Sequence, residues 1–460
     1  MKKLYLMLGM FIITGLVKGQ EIQMKLKGAM EKMQADSTLK HASVSLLVVD
    51  AMNGNTIFSI EENRALAPAS TQKIFTSIAG YEILGKNFTY KTELLYEGQV
   101  ATGTLKGNLI ISGNGDPTLG SWRWDQTKDE NVLKRFTAAL RKKGIMRIEG
   151  GLQIETPFFN GGSIPGGWIW DDIGNYYGAG ALGFNWRENQ FDLILQSGAT
   201  VGTAVKLLST KPAYVVKRKF NNELKAAAKG SGDNAYIYFP LGTGTPYLLQ
   251  GTIPVDEKSF SISGASPHPS NDFILEWKMQ MGNTFKQVAV KNVSGSRKPV
   301  LVWESPPFDS MNYWFMKRSI NLYGEAFLKT IALQKKRNAT TSDGISVLQD
   351  FWKAAGIEEG ALQVMDGSGL SPQNRVTTRA LVAALQYARD QAWFTSFYHS
   401  IPVINSLRMK SGSIGGARSY AGYHTRSDGT SFIFAIIVNN YTGGSSRVVR
   451  KMWDVLDEMK

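Results

Sequence analysis

Pro68-Ala69-Ser70-Thr71-Gln72-Lys73-Ile74-Phe75-Thr76-Ser77-Ile78-Ala79-Gly80-Tyr81 is the stretch on which the reading of this chain turns. Ile74, Phe75, Ile78 and Tyr81 recur at helical spacing, which predicts a helix opening just after Pro68-Ala69. Ser70 stands at its start and Lys73 one turn along on the same face, where the two side chains can meet. A serine there is also an ordinary N-cap. Ser-x-x-Lys occurs a second time at Ser37–Lys40, so context must separate the two. Ser37 sits at the end of an amphipathic helix expected over 22–36. Ser43 to Val49 then reads as a strand, Asn53-Gly54 as a hairpin turn and Thr56 to Ile60 as the returning strand. Ser70 therefore follows a hairpin and opens an apolar helix, where its hydroxyl can face a cleft.

Two later fragments complete a set. Ser319-Ile320-Asn321 joins helices expected over 308–318 and 321–335, a place from which two polar side chains can project. Ser112-Gly113-Asn114 has the same pattern but lies in a turn-rich stretch, Ser112 to Leu119, that reads as an exposed loop. Lys410-Ser411-Gly412 occurs once, inside Arg408 to Ser413, which reads as an edge strand with alternate residues on one side. In order, the three fragments supply a serine nucleophile, an amine base, a hydroxyl beside an amide, and a cationic anchor for a carboxylate. That is the working set of a serine acyltransferase in which lysine takes the place of histidine.

From about residue 88 to 265 the chain turns strand-like, as at 108–112, 146–155, 191–196 and 235–239, with one helix expected over 130–143. Helices return at 271–281, 342–355 and 377–389, and the chain closes with a strand over 431–439 and a helix from about Ser446. A helix-rich beginning and end around a strand-rich middle suggests one discontinuous domain, 20–88 with 266–460, interrupted by a mostly β insertion at 89–265 that forms two small domains.

Residues 1–19 carry Lys2-Lys3, an apolar run from Leu4 to Val17 and then Lys18-Gly19, which reads as a secretory signal peptide. The run falls short of the ~20 residues that span a bilayer. The chain of 460 residues has no cysteine, so an exported form must gain its stability from core burial and not from disulfides. Net charge is +14, and the three lysines of residues 1–19 account for 3 of it, leaving +11. Such a surplus favours anionic partners such as wall polymers or membrane surfaces. No nucleic-acid motif accompanies the charge. His41, His268, His399 and His424 form no ligand-spaced pair, so neither metal nor other cofactor is expected.

The three fragments, with 249 residues from Ser70 to Ser319 and 91 from there to Lys410, resemble the class C low-molecular-mass penicillin-binding proteins, the D-alanyl-D-alanine carboxypeptidase/endopeptidases. Gly113 to Leu119, Trp168 to Asp172 with Asn175-Tyr176-Tyr177, Asn321 to Glu325 and Asp366-Gly367-Ser368-Gly369-Leu370-Ser371 agree with that family. Three positions depart from its pattern: Ser411 replaces the usual threonine, Ile320 a commoner polar residue, and Pro372 a basic residue found in many members, with Arg375 nearby.

The resemblance implies an α/β (α+β) penicillin-binding transpeptidase-like sandwich, an antiparallel sheet flanked by helices, split by the insertion. It implies that Ser70 attacks the penultimate carbonyl of a peptide ending in D-Ala-D-Ala, that Lys73 takes its proton, and that Ser319 passes a proton toward the leaving amine. Asn321 would hold Lys73 and the substrate amide, Lys410, Ser411 and Gly412 the terminal carboxylate, and the N–H groups of Ser70 and Ser413 the oxyanion. Asp172, or its neighbour Asp171, matches an aspartate of the inserted region that meets the amino end of the stem peptide's diamino acid. The partners implied are peptidoglycan stem peptides, with β-lactams as inhibitors, in the periplasm. A β-lactamase of the same fold and a non-catalytic wall-binding protein are the alternative readings.

Overall fold

The structure, a computed structural model, describes residues 20–159, 161–242, 244–288 and 296–460. The expected signal peptide, residues 1–19, lies outside the described residues. The chain divides into two compact units, and neither is continuous in sequence.

The first unit takes the described part of Met1–Lys86, with Asp309–Ser319 and Ile345–Lys460. Its centre is a six-stranded antiparallel sheet in the order Val403–Ile404, Leu407–Ile414, Ala417–Thr425, Ser431–Asn439, Ser43–Asp50, Thr56–Ile60. Ser431–Asn439 is apolar at nearly every position because helices cover both of its faces. On one face Val44, Leu46, Val48, Phe434 and Ile436 pack against Leu26 and Met30 of a helix over 20–34 and against Val448 and Met452 of Ser445–Asp457. On the other lies Thr378–Arg389, where Thr378 Oγ1 bonds Ser45 Oγ at 2.7 Å and the Leu385 carbonyl accepts from Tyr423 Oη at 2.7 Å. The helix Lys73–Ile83 packs beside Thr378–Arg389 on that face.

The second unit, Asn87–Phe308 with Ile320–Gly344, holds three further sheets among its described residues. A six-stranded sheet includes Lys91–Ala101, Thr104–Ser112, Arg147–Gly150 and Lys298–Glu304. Helices Asp129–Lys142 and Pro269–Met281 share its core through Phe136, Phe273 and Trp277, which pack with Trp303 of the sheet. Smaller sheets centre on Gln190–Gln196 and Tyr247–Pro254 and share a separate core around Leu193, Ile237 and Leu249. The unit reaches past the expected 89–265 because Lys298–Glu304 pairs with Lys91–Ala101 and Trp277 belongs to that sheet's core.

Local expectations fail where packing overrides composition. The stretch Gly113 to Leu119, expected to be an exposed loop, is almost wholly buried. Asp116 Oδ1 accepts from Thr118 N at 2.8 Å and from its Oγ1 at 2.6 Å, so one oxygen of this buried carboxylate is paired within the turn. The single strand expected over 146–155 is two strands, Arg147–Gly150 and Leu152–Glu155, broken where Asn108 Oδ1 accepts from Gly151 N. Helix Phe394–Ser400 and strand Ala417–Thr425 carried no clear signal; in the strand, Gly422 sits where a side chain would meet the Arg408 carbonyl.

Candidate active site

Ser70 lies in a 3-10 turn, Ala69–Gln72, that runs directly into helix Lys73–Ile83. The residue before the serine, Ala69, has φ +47°, a left-handed conformation that side chains other than glycine seldom adopt. Packing on both sides holds it there. A Cβ on Gly369 would overlap the Ala69 carbonyl, and one on Gly412 would overlap the Pro68 carbonyl and Ser419 Oγ. The Ser70 hydroxyl is not used as a helix cap: its Oγ accepts from Lys73 Nζ at 3.1 Å. Lys73 is fully buried, its Nζ also donates to the Ser368 carbonyl at 2.7 Å, and the Phe315 ring centre lies 5.7 Å from it.

The Asp366 to Ser371 stretch is built around the head of this helix. Gln72 Nε2 donates to the Asp366 carbonyl at 2.6 Å, and Thr76 Oγ1 to that of Gly367 at 2.7 Å. Asp366 then folds the loop on itself by accepting from Gly369 N and Ser371 N, each at 2.7 Å. Sequence reasoning noticed the stretch but gave no role to Ser368. A backbone carbonyl has no residue signature, so nothing in the sequence marks this partner of Lys73.

A second serine–lysine pair lies in the same unit. Ser319, at φ +57°, occupies the break between helices Phe308–Arg318 and Asn321–Gln334. Its Oγ accepts from Lys410 Nζ at 3.0 Å, and Lys410 donates also to the Ser411 carbonyl at 2.8 Å. Lys410 is 2% exposed, and burial pushes its ammonium down to about 7. The Val403–Ile404 strand pairs only with Leu407 and Arg408, so among the described residues Lys410 to Ile414 form ladder pairs on one side alone. Ser411 is half-buried and Ser413 exposed along that open edge.

Asn321 and Asp172 belong to the second unit. Asn321 is buried, and its Nδ2 donates to the Tyr177 carbonyl at 2.7 Å. Asp172 lies within the short helix Trp170–Ile173. Burial raises its carboxyl to about 6; a hydrogen bond from Tyr177 works against the rise and the Asp171 charge adds to it. The ring of Trp170, in the same helix, lies 4.5 Å from that of Tyr238 at an interplanar angle of 41°.

A helix-flanked antiparallel sheet, a serine held by a buried lysine one turn away, and a second serine–lysine pair beside an open strand edge define a serine peptidase of the penicillin-binding type. The chain belongs to the D-Ala-D-Ala carboxypeptidase 3 (S13) family, whose match covers residues 26–459. It is 26% identical over 399 residues to the D-alanyl-D-alanine carboxypeptidase DacB of Haemophilus influenzae, covering 82% of this chain and 81% of that protein. It is 24% identical over 469 residues to a D-alanyl-D-alanine carboxypeptidase of Actinomadura sp., covering 93% of this chain and 83% of the relative. The crystal structure of penicillin binding protein 4 from Haemophilus influenzae superposes with a TM-score of 0.76 at 23% identity, over 91% of this chain and 96% of that one. A structure of that protein complexed with a β-lactam superposes at 0.71, with 21% identity and the same shares of the two chains.

Proposed function

We propose that this member of the family trims D-alanine from peptidoglycan stem peptides outside the cytoplasm, cleaves cross-links as an endopeptidase, and is acylated by β-lactams. The observation that carries the reading is the 3.1 Å approach of Lys73 Nζ to Ser70 Oγ, with the parallel 3.0 Å approach of Lys410 Nζ to Ser319 Oγ. The names of the Haemophilus and Actinomadura relatives support the substrate, and the β-lactam complex of the Haemophilus protein supports the inhibitor.

In this mechanism Lys73, as the free amine, takes the proton of Ser70 as Oγ bonds to the penultimate carbonyl carbon. The oxyanion is received by the N–H groups of Ser70 and Ser413, each such donor being worth about 3–4 kcal/mol in other serine hydrolases. A proton passes by way of Ser319 to the departing nitrogen, the C–N bond breaks, and D-alanine leaves. Water then attacks the ester and restores Ser70. Lys410 and Ser411 receive the terminal carboxylate, Asn321 the substrate amide, and Asp172 the ammonium of the diamino acid. The residues 1–19 favour export to the periplasm.

Intact-mass analysis after incubation with benzylpenicillin tests the reading. A lasting adduct on the wild type and none on Ser70→Ala is expected. Rapid drug turnover without an adduct would favour a β-lactamase, and inertness of both proteins would favour a binding protein.

A further inference from the structure

The second unit, which holds neither serine–lysine pair, contains a cavity of about 350 Å³ lined by Trp122, Arg187, Gln190, Phe191, Asp192 and Ser263. The volume falls within the range of small-molecule clefts. Its most conspicuous wall is an indole left 49% exposed yet firmly anchored. Both neighbours of Trp122 bond one fully buried carboxylate: Ser121 Oγ donates to Glu188 at 2.7 Å, and Arg123 Nε and Nη2 donate to it at 2.6 and 2.9 Å.

The opposite wall begins in unusual backbone. Arg187, Glu188 and Asn189 have φ of 56°, 52° and 52°, three consecutive left-handed residues without a glycine. The turn is pinned by the Asn189 side chain, whose Oδ1 accepts from Trp186 N at 3.0 Å and whose Nδ2 donates to the Gly180 carbonyl at 2.9 Å. Strain that the surroundings over-determine gathers at functional sites. Here it sets Arg187 at the cavity and leads straight into strand Gln190–Gln196. Gln190 and Asp192 share one face of that strand. Ser263 stands opposite Asp192 in register and donates to its carboxylate at 2.6 Å. Arg187 is ion-paired with Asp129, and its Nε is buried with no hydrogen-bond partner among the described residues.

We propose that this cavity is a subsite for the glycan strand of peptidoglycan, a polymer of N-acetylated amino sugars; the proposal rests on the wall-peptidase reading above. The Arg123 guanidinium carbon lies 5.4 Å from the Trp122 ring centre, and the half-exposed indole can still offer apolar surface to the C–H face of a pyranose ring. Asp192, Gln190 and Ser263 supply the mixed acceptors and donors that sugar hydroxyls need, and the partly exposed Arg187 guanidinium adds donor capacity at the rim. One cation and one carboxylate line the cavity, a balance suited to a hydroxyl-rich ligand and not to a strongly charged one.

The test is calorimetric titration of the full chain with peptide-free glycan strands. The wild type should bind, and Trp122→Ala should weaken binding by about tenfold, the loss of one aromatic contact. Asp192→Asn should weaken it as well, with thermal unfolding of each variant checked against wild type. Absence of binding by the wild type, or equal affinity in all three proteins, overturns the subsite. Wild-type turnover of a short soluble peptide ending in D-Ala-D-Ala is scored separately. Failure of the peptidase reading is seen in that assay, and failure of the subsite in the titration.

Discussion

Lys410, proposed above to receive the substrate carboxylate, has its ammonium pulled down to about 7 by burial, whereas burial lifts the Asp172 carboxyl to about 6. These directions give a pH profile with a definite shape. For a substrate with both a terminal carboxylate and a free diamino-acid ammonium, kcat/KM should rise as Asp172 ionises through about 6 and fall as Lys410 loses its proton through about 7. A substrate without the ammonium, or the variant Asp172→Asn, should lose the acid limb and keep the alkaline one. Persistence of the acid limb in Asp172→Asn would remove Asp172 from substrate recognition. The same shift has a stability consequence. Folded Lys410 titrates near 7 against an ordinary 10.5, so between those values the unfolded chain holds more protons and stability rises with pH on this account. Lys410→Met should therefore compare best with wild type below pH 7 and progressively less well toward 10.5, as thermal denaturation across that window would register.

At the scale of the element, the strand Leu407–Ile414 is pressed against the turn that carries Ser70, the proposed nucleophile, and glycine makes the contact possible. Gly412→Ala would drive a Cβ into the Pro68 carbonyl and Ser419 Oγ, whereas at Gly415 a Cβ meets nothing within 4 Å. Gly412→Ala should destabilise the protein by about 1–3 kcal/mol and slow benzylpenicillin acylation markedly, while Gly415→Ala leaves both unchanged. Equal acylation rates in the two variants would show that the turn does not depend on this strand. Much of this was legible beforehand. The helix after Pro68, the break at Ser319 and the open edge at Lys410 were all readable from periodicity and turn chemistry. What was not legible came from backbone. The Ser368 carbonyl on Lys73 and the left-handed run Arg187-Glu188-Asn189 depend on how the chain packs, which residue type does not announce.

Over the whole molecule, the helix-rich ends and strand-rich middle were legible as an interrupted domain, but the return points were not. The chain re-enters the first unit at Ile345, inside the helix Thr341–Ala354, where no glycine cluster, proline or change of composition marks a boundary. Packing decides it: the Gly344 Cα is pressed so close to Leu328 of the second unit that a Cβ there would clash with its carbonyl, while Leu348 and Trp352 are buried in the stretch assigned to the first. Separate cores then predict how the protein comes apart. Phe136, fully buried, packs edge-on against Trp277 at 5.7 Å and Trp303 at 6.2 Å in the second unit. Phe434 is equally buried in the core of the first. Each truncation to alanine should cost about 3–5 kcal/mol. In calorimetry Phe136→Ala should lower one transition and Phe434→Ala the other, because each removes contacts from one core only. On the proposed mechanism, retention of benzylpenicillin labelling on heating reports on the unit that carries Ser70 and Lys73. Labelling should follow the transition moved by Phe434→Ala. If either substitution shifts a single common transition and labelling together, the two units unfold as one, and the discontinuous first unit owes its stability to the unit inserted in it.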